Sequence, residues 1–286
     1  MANTDKTNIL ERLAEGVAQL TSSERWQEWL TMQSRFHNYS FNNTLLILGQ
    51  KPEAFQVAGF NAWRKLDRFV RKGEKGIWIL APMVYKTDAG DDAPTGDTAR
   101  KVIRGFKAVP VFDVSQTDGA DLPEVCVRLD GEDEAGLFER LRTVAASLGF
   151  RVEDADDLGG ANGVCTHDDH LIQVLASNSP VQRIKTLAHE MGHAILHAPG
   201  EGRPDNRAVL ELEAESVAFV VCAATGITSD DYSFGYVATW SGGGDEALTA
   251  IKVSGGRIQR AADQILWTLD NFEPQDVARR SPTSEN

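Results

Sequence analysis

Two neighbouring segments limit what this chain can become. The first is His189-Glu190-Met191-Gly192-His193, an HExxH pattern flanked by Ile184, Leu187, Ala188, Met191 and Ile195 at helical spacing. Residues four apart lie on one face of a helix, so both imidazoles can reach one cation. Glu190 sits about 100° round from His189 and points beside that cation, where it can take a proton from a water and pass it to a leaving amine. Two imidazoles and one carboxylate, with a fourth position left open, are the donor set of a catalytic zinc ion. The expected cofactor is therefore Zn²⁺, with His189 and His193 as ligands and Glu190 as catalytic base.

The second segment is Leu210-Glu211-Leu212-Glu213-Ala214-Glu215-Ser216-Val217-Ala218-Phe219, which carries three glutamates in an apolar run. On a helical wheel Glu215 lies about 40° from Glu211, with Ala218 and Cys222 beside them. That face has small residues and lets a second helix approach. Glu213 lies about 200° round and is expected to be solvated. Buried carboxylates need a cation or hydrogen bonds. Glu211 is therefore the expected third ligand, and Glu215 the partner of a ligating histidine. Reversed roles, or Glu213 as ligand, are the alternatives.

His197 falls on the ligand face one turn after His193. It reads as a buried histidine next to the ligands, with a ligand role as the alternative. The longer HExxHxxGxxH pattern is absent, because it needs a third histidine six residues after the second. His167 and His170, beside Asp168 and Asp169, read as an exposed turn. Tyr232 and Tyr236 are either oxyanion stabilisers or packing residues.

The net charge of −13 argues at first against a nucleic-acid partner. Its distribution reverses that inference. Residues 1–120 carry 16 basic and 14 acidic side chains, whereas residues 121–286 carry 13 and 28. Within residues 60–80, six basic residues (Arg64, Lys65, Arg68, Arg71, Lys72, Lys75) face only Asp67 and Glu74. Phe60, Trp63, Phe69 and Trp78 interleave with them. Cations neutralise phosphates and aromatics stack on unpaired bases, which suits single strands better than duplex. The expected nucleic-acid-binding residues are Trp63, Arg64, Lys65, Arg68, Arg71, Lys72 and Lys75. The alternative is a core of aromatics under a solvated charged face.

No run of about 18 apolar residues exists, so no membrane span is expected. Residues 1–8 lack the charged and apolar regions of a secretory signal. Cys126, Cys165 and Cys222 are distant and odd in number, which points to a reducing, cytoplasmic setting.

The expected fold class is α+β, in two domains. Helices are expected over 8–33, with a capped restart at Thr21-Ser22-Ser23-Glu24, and over 43–50 and 60–66. Ile77–Leu80 and Phe106–Val114 read as strands, and Pro110 suggests an edge or bulge. Residues 87–100 read as a mobile loop or hairpin tip. Leu137–Leu148, Val181–Ala198, Ala208–Thr225, Asp245–Ile251 and Ile258–Leu269 read as helices, with short strands at Phe150–Val152 and Leu171–Val174. The division is a domain over 1–120, a linker over 121–132 and a mainly helical domain over 133–286, frayed from 274.

With both halves in view, the chain resembles the ArdC antirestriction family. The stretches Phe41-Asn42-Asn43-Thr44-Leu45-Leu46, Val57–Leu66, Val70–Ile77 and Val111–Thr117 are similar to its N-terminal domain. HEMGHAILH, ELEAESVAFVVC and Asp231–Tyr236 resemble its zincin-like domain, which is similar to the ImmA/IrrE metallopeptidases. The resemblance implies a single-stranded DNA-binding domain joined to a metallopeptidase-like one, carried on plasmids or phages and protecting incoming DNA from restriction. His189 and His193 match the metal ligands, Glu190 the base and Glu211 the acidic ligand. The residue four after that ligand, an Asp or Asn in related zincins, is Glu215 here. The expected partners are single-stranded DNA and a protein substrate of unknown identity. A non-enzymatic DNA shield with a structural or vestigial metal site is the alternative.

Overall fold

The computed structural model describes residues 2–86, 101–122, 134–200, 202–227, 232, 234 and 244–271. The expected loop at 87–100, residues 123–132 of the expected linker, Cys126, Tyr236 and the tail from 274 lie outside the described residues. In chain order the elements are α1 (Ala2–Gln19), α2 (Ser23–Arg35), α3 (Phe41–Gln50), β1 (Val57–Ala58), α4 (Phe60–Lys65), β2 (Arg68–Val70), β3 (Ile77–Lys86) and β4 (Lys101–Asp113). A 3-10 turn (Val114–Gln116), β5 (Thr117–Gly119), α5 (Glu134–Ser147), β6 (Arg151–Ala155), β7 (Gly163–Thr166), β8 (Leu171–Leu175), α6 (Pro180–Leu196), α7 (Arg207–Ala224) and α8 (Asp245–Asn271) follow. The fold class is α+β, in two domains.

The chain forms two compact units that interleave in sequence. One comprises Met1–Gln19 and Phe41–Val125, the other Leu20–Ser40 and Cys126–Asn286. A single boundary near residue 120 therefore misses one exchange: α2 packs in the second unit. It starts where the capping signal lies, with Ser22 accepting a hydrogen bond from the Arg25 backbone N–H. Its Trp26 and Trp29 are buried, and the Trp26 indole N–H donates to Ser216 Oγ on α7 at 3.0 Å.

In the first unit, β3 and β4 form a long antiparallel ribbon, and β1 pairs with the end of β4. The outer edge of β3 is covered by side-chain amides from α3. Asn43 exchanges two hydrogen bonds with the Leu80 backbone (3.0 and 2.9 Å), and Gln50 two with Trp78 (both 2.9 Å). These substitute for a neighbouring strand and close an otherwise unpaired edge. Pro110 stands opposite Trp78, whose own backbone groups point to Gln50. Its missing N–H therefore faces the β1 side, and β1 reaches only Phe112 and Asp113. Asp113 is buried and ties three segments: Oδ1 accepts from the Phe55 and Gln56 backbone N–H groups, and Oδ2 from that of Ser115.

The second unit has a three-stranded sheet in the order β6-β8-β7, with β6 and β8 parallel and β7 antiparallel at one edge. Ile172 and Val174 of β8 are fully buried, as are Ile184, Leu187 and Met191 of α6, which packs on this sheet. α7 packs against α6, α8 and α2. α8 runs unbroken through Gly255-Gly256, where two helices were expected. Ser254, Gly255 and Ile258 are buried there, so packing outweighs the helix-weakening cost of glycine, about 1 kcal/mol per residue.

Candidate functional site

Two glycines bring the site together. A Cβ on Gly192 would stand 3.0 Å from Ala214 Cα, so this pair sets a close approach of α6 and α7. A Cβ on Gly163 would stand 2.5 Å from Thr186 Cγ2 and 2.9 Å from Glu190 Oε1, so the edge strand β7 lies directly against Glu190. From the sequence no strand is expected where β7 lies. It is four residues long and begins with glycine, too short for a period-2 signal.

His189 and His193 project from α6 and Glu211 from α7. His189 Nε2 lies 3.1 Å from His193 Nε2, and Glu211 Oε2 lies 3.5 and 3.7 Å from the two nitrogens. Donor atoms about 2.0–2.1 Å from a tetrahedral ion stand about 3.3 Å apart. The three atoms thus have the chemistry and the spacing of a metal's donor face, and they form a candidate metal-holding group. An open cleft of about 840 Å³ leads to them, lined also by Cys165, His167, Lys185 and Glu190.

The carboxyl of Glu190 is buried and raised above the ordinary glutamate range: burial dominates, and His189 and His193 oppose it. Burial pushes His189 down, but hydrogen bonds to Glu211 and Glu215 outweigh it and hold the imidazole at about 9. Glu211 is lowered, chiefly by its hydrogen bonds to His189 and His193. Cys165 is pushed up to about 12 by burial and then by Glu190, which makes its thiol a poor nucleophile.

Each ligand-face histidine has a partner on its far nitrogen. His189 Nδ1 is 3.1 Å from Glu215 Oε2, and Glu215 also pairs with Lys185 Nζ at 3.2 Å. The Lys185 ammonium lies 3.9 Å from the centre of the Tyr232 ring. Tyr232 meets Phe219 edge-on and lies parallel to Phe234 in an aromatic cluster rather than lining the cleft. His193 Nδ1 is 2.8 Å from His197 Nδ1, and His197 is 2 % exposed.

The expectation for Glu213 fails. It is 0 % exposed, not solvated, and pairs with His197 Nε2 at 3.0 Å and Arg257 Nε at 3.1 Å. The wheel located its face correctly, but α8 covers that face and brings the guanidinium. Burial depresses His197, against the pull of Glu213. His167 and His170 pack on the Phe150 ring, and His167 also lines the cleft.

In the first unit the structure separates the expected nucleic-acid residues. Trp63 is 0 % exposed and its indole N–H donates to the Phe112 carbonyl at 2.8 Å, so it is a core residue and offers no stacking face; this corrects the sequence reading. Arg68 donates to Thr117 Oγ1 and to the Thr117 and Ala120 carbonyls, fastening β2 to β5. Arg71 binds Glu74, Asp118 and the Ser115 carbonyl. Arg64, Lys65, Lys72 and Lys75 are exposed. The exposed aromatics among the described residues of this unit are Phe55 (62 %), Phe60 (48 %) and Phe69 (56 %), with Tyr85 and Phe106 on the β3–β4 ribbon, where Arg104 lies over Tyr85.

Comparison with known proteins reads the same two halves. Residues 4–112 match the N-terminal domain of anti-restriction factor ArdC. Residues 148–225 match the IrrE N-terminal-like domain of the M78 peptidases. The chain carries an ArdC-type N-terminal domain. The solved structures it is similar to include the antirestriction protein ArdC from the R388 plasmid in two forms. The Mn(II)-bound form has 20 % identity and a TM-score of 0.56, over 91 % of this chain and 99 % of that one. The metal-free form has 22 % identity and a TM-score of 0.50, over 82 % and 86 %. An uncharacterized protein of Bacillus anthracis is 24 % identical over 87 % of this chain, which spans 48 % of that protein's length. Another, of Sinorhizobium fredii, is 27 % identical over 71 % of this chain and 68 % of its own length. Among the described residues, no helix is long and apolar enough to cross a membrane.

Proposed function

We propose that this protein protects mobile DNA from restriction by binding single-stranded DNA through its first unit while its second unit carries a zinc peptidase site. The observation that carries the enzymatic half is the triangle of His189, His193 and Glu211 beside a buried Glu190 in an open cleft. A structural zinc site is more often closed by four protein ligands, whereas three leave room for chemistry. Two imidazoles and a carboxylate suit zinc. Manganese, named in the R388 structure, is the competitor that metal analysis of the purified protein distinguishes.

His189, His193 and Glu211 would hold the zinc ion, which would supply Lewis acidity to a scissile carbonyl and acidity to a water. Glu190 would accept a proton from such a water and return it to the departing amine, and its raised carboxyl suits the return step. The Cys165 backbone N–H hydrogen-bonds Glu190 and holds it from the β7 side. Phe60 and Phe69 provide stacking faces, and Arg64, Lys65, Lys72 and Lys75 neutralise phosphates.

The test is Glu190→Gln. Metal content and single-strand affinity stay at wild-type level, while protection of incoming DNA and any peptide cleavage are lost. A variant that protects as well as wild type removes the peptidase and leaves a DNA-binding shield. For the first unit, combined charge reversal at Arg64, Lys65 and Lys72 weakens single-strand binding and flattens its salt dependence. An unchanged slope places the DNA surface elsewhere.

A further inference from the structure

Behind His193 runs a buried chain of polar groups that the metal site does not itself require. Arg257 of α8 donates through Nε to both oxygens of Glu213 at 3.1 Å and also binds the Leu196 and Gly202 carbonyls, so it joins α8 to the end of α6. Glu213 meets His197 Nε2 at 3.0 Å, and His197 Nδ1 meets His193 Nδ1 at 2.8 Å. Glu213, His197 and Arg257 come from α7, the C-terminal cap of α6 and α8.

With both imidazoles neutral, the donor and acceptor rules leave one assignment for this chain. A carboxylate only accepts, so the contact with Glu213 needs a proton on His197 Nε2. A neutral His197 with its proton on Nε2 has a bare Nδ1 that can only accept. The proton in the short nitrogen–nitrogen contact then belongs to His193 Nδ1. A neutral His193 with Nδ1–H has its lone pair on Nε2, the atom in the triangle with His189 Nε2 and Glu211 Oε2.

We propose that Glu213, His197 and Arg257 are positioning residues that fix the tautomer and the ring orientation of His193, so that Nε2 is presented to the ion. The inference rests on the metal reading above. His189 gets the same service directly from Glu215, so the two ligands are oriented by unlike devices: a carboxylate at once for one, a carboxylate through an imidazole for the other. Partners of this kind typically change metal affinity by about 10–100-fold when removed.

The experiment is a competition titration of zinc against a chromophoric chelator, on the full chain and three variants. His197→Leu, which removes both contacts, is expected to bind about 10–100-fold more weakly. His197→Gln can accept from His193 Nδ1–H and donate to Glu213, and is expected to restore affinity to within a few-fold of wild type. Glu213→Gln serves if His197→Leu does not fold: it removes the charge that fixes His197 and is expected to weaken binding in the same direction. A readout that packing alone does not move is the nitrogen–nitrogen scalar coupling across the His193–His197 hydrogen bond in the ¹⁵N-labelled, zinc-loaded wild type, with the proton assigned to His193. Zinc binding as tight in His197→Leu and Glu213→Gln as in wild type, or an absent coupling, overturns the inference and leaves the metal site standing. A wild type that takes up neither zinc nor manganese overturns the metal reading and this inference with it.

Discussion

Trp26 and Ser216 stand 190 positions apart and share a hydrogen bond of 3.0 Å inside the second unit. The bond explains why the two units interleave: α2 precedes most of the first unit in sequence yet covers α7. Trp26→Phe leaves the Ser216 hydroxyl without this donor and a gap beside it. Unfolding by urea, followed by circular dichroism, is expected to show a loss of about 1–3 kcal/mol. In a double-mutant cycle with Ser216→Ala the two changes are expected to couple by about 1 kcal/mol; additivity would mean that the bond contributes nothing. A fragment cut at residue 126 also lacks α2 and is expected to aggregate rather than unfold cooperatively.

Under the proposed peptidase function, Gly163 is the position that separates metal binding from catalysis. An alanine there meets Thr186 and the Glu190 carboxylate, so either β7 or Glu190 must move. Gly163→Ala is expected to keep zinc within a few-fold of wild type and to lower peptide cleavage by about 100-fold, the range found when reacting groups are misplaced by about an ångström. Metal analysis and a cleavage assay on the same sample check both halves.

Zinc uptake is expected to strengthen as pH rises. Glu211 and Glu215 hold a proton on metal-free His189 up to about pH 9, against the effect of burial. An ion has to displace that proton, so affinity gains about tenfold per pH unit below that value and levels off above it. Titration calorimetry in buffers of different ionisation enthalpy counts the proton released. Zero release at neutral pH contradicts the assignment.

Asp113 should make the first unit sensitive to acid. Its burial works against ionisation, but hydrogen bonds from Ser115, Phe55 and Gln56 outweigh it and lower the carboxyl. A carboxyl lower in the folded state than in the unfolded one adds stability above its unfolded value. That stability is lost as pH falls through the folded one. Asp113→Asn sets an amide N–H against the Ser115 N–H and is expected to cost about 1–3 kcal/mol at neutral pH. The deficit should shrink in acid, as thermal melts at several pH values would show.

What was legible in the sequence is what depends on local spacing. The HExxH helix, the capped start of α2, and the shared face of Glu211 and Glu215 follow from 3.6 residues per turn and from the hydrogen bonds of helix ends. Amphipathicity located the faces, and the charge split separated the halves. It did not say what covers each face. Glu213 looked solvated until α8 placed Arg257 on it, because a wheel knows one helix and not its neighbours. Trp63 looked like a stacking residue because its neighbours are basic, yet its side chain turns inward to the Phe112 carbonyl. Two helices merged into α8 because packing against α7 outweighs the cost of Gly255 and Gly256. The sequence by itself determined which residue types share a helical face. The tertiary structure alone decided which faces meet, and so which carboxylate stands beside which histidine, because burial and hydrogen bonding between segments far apart in the chain are set by long-range packing.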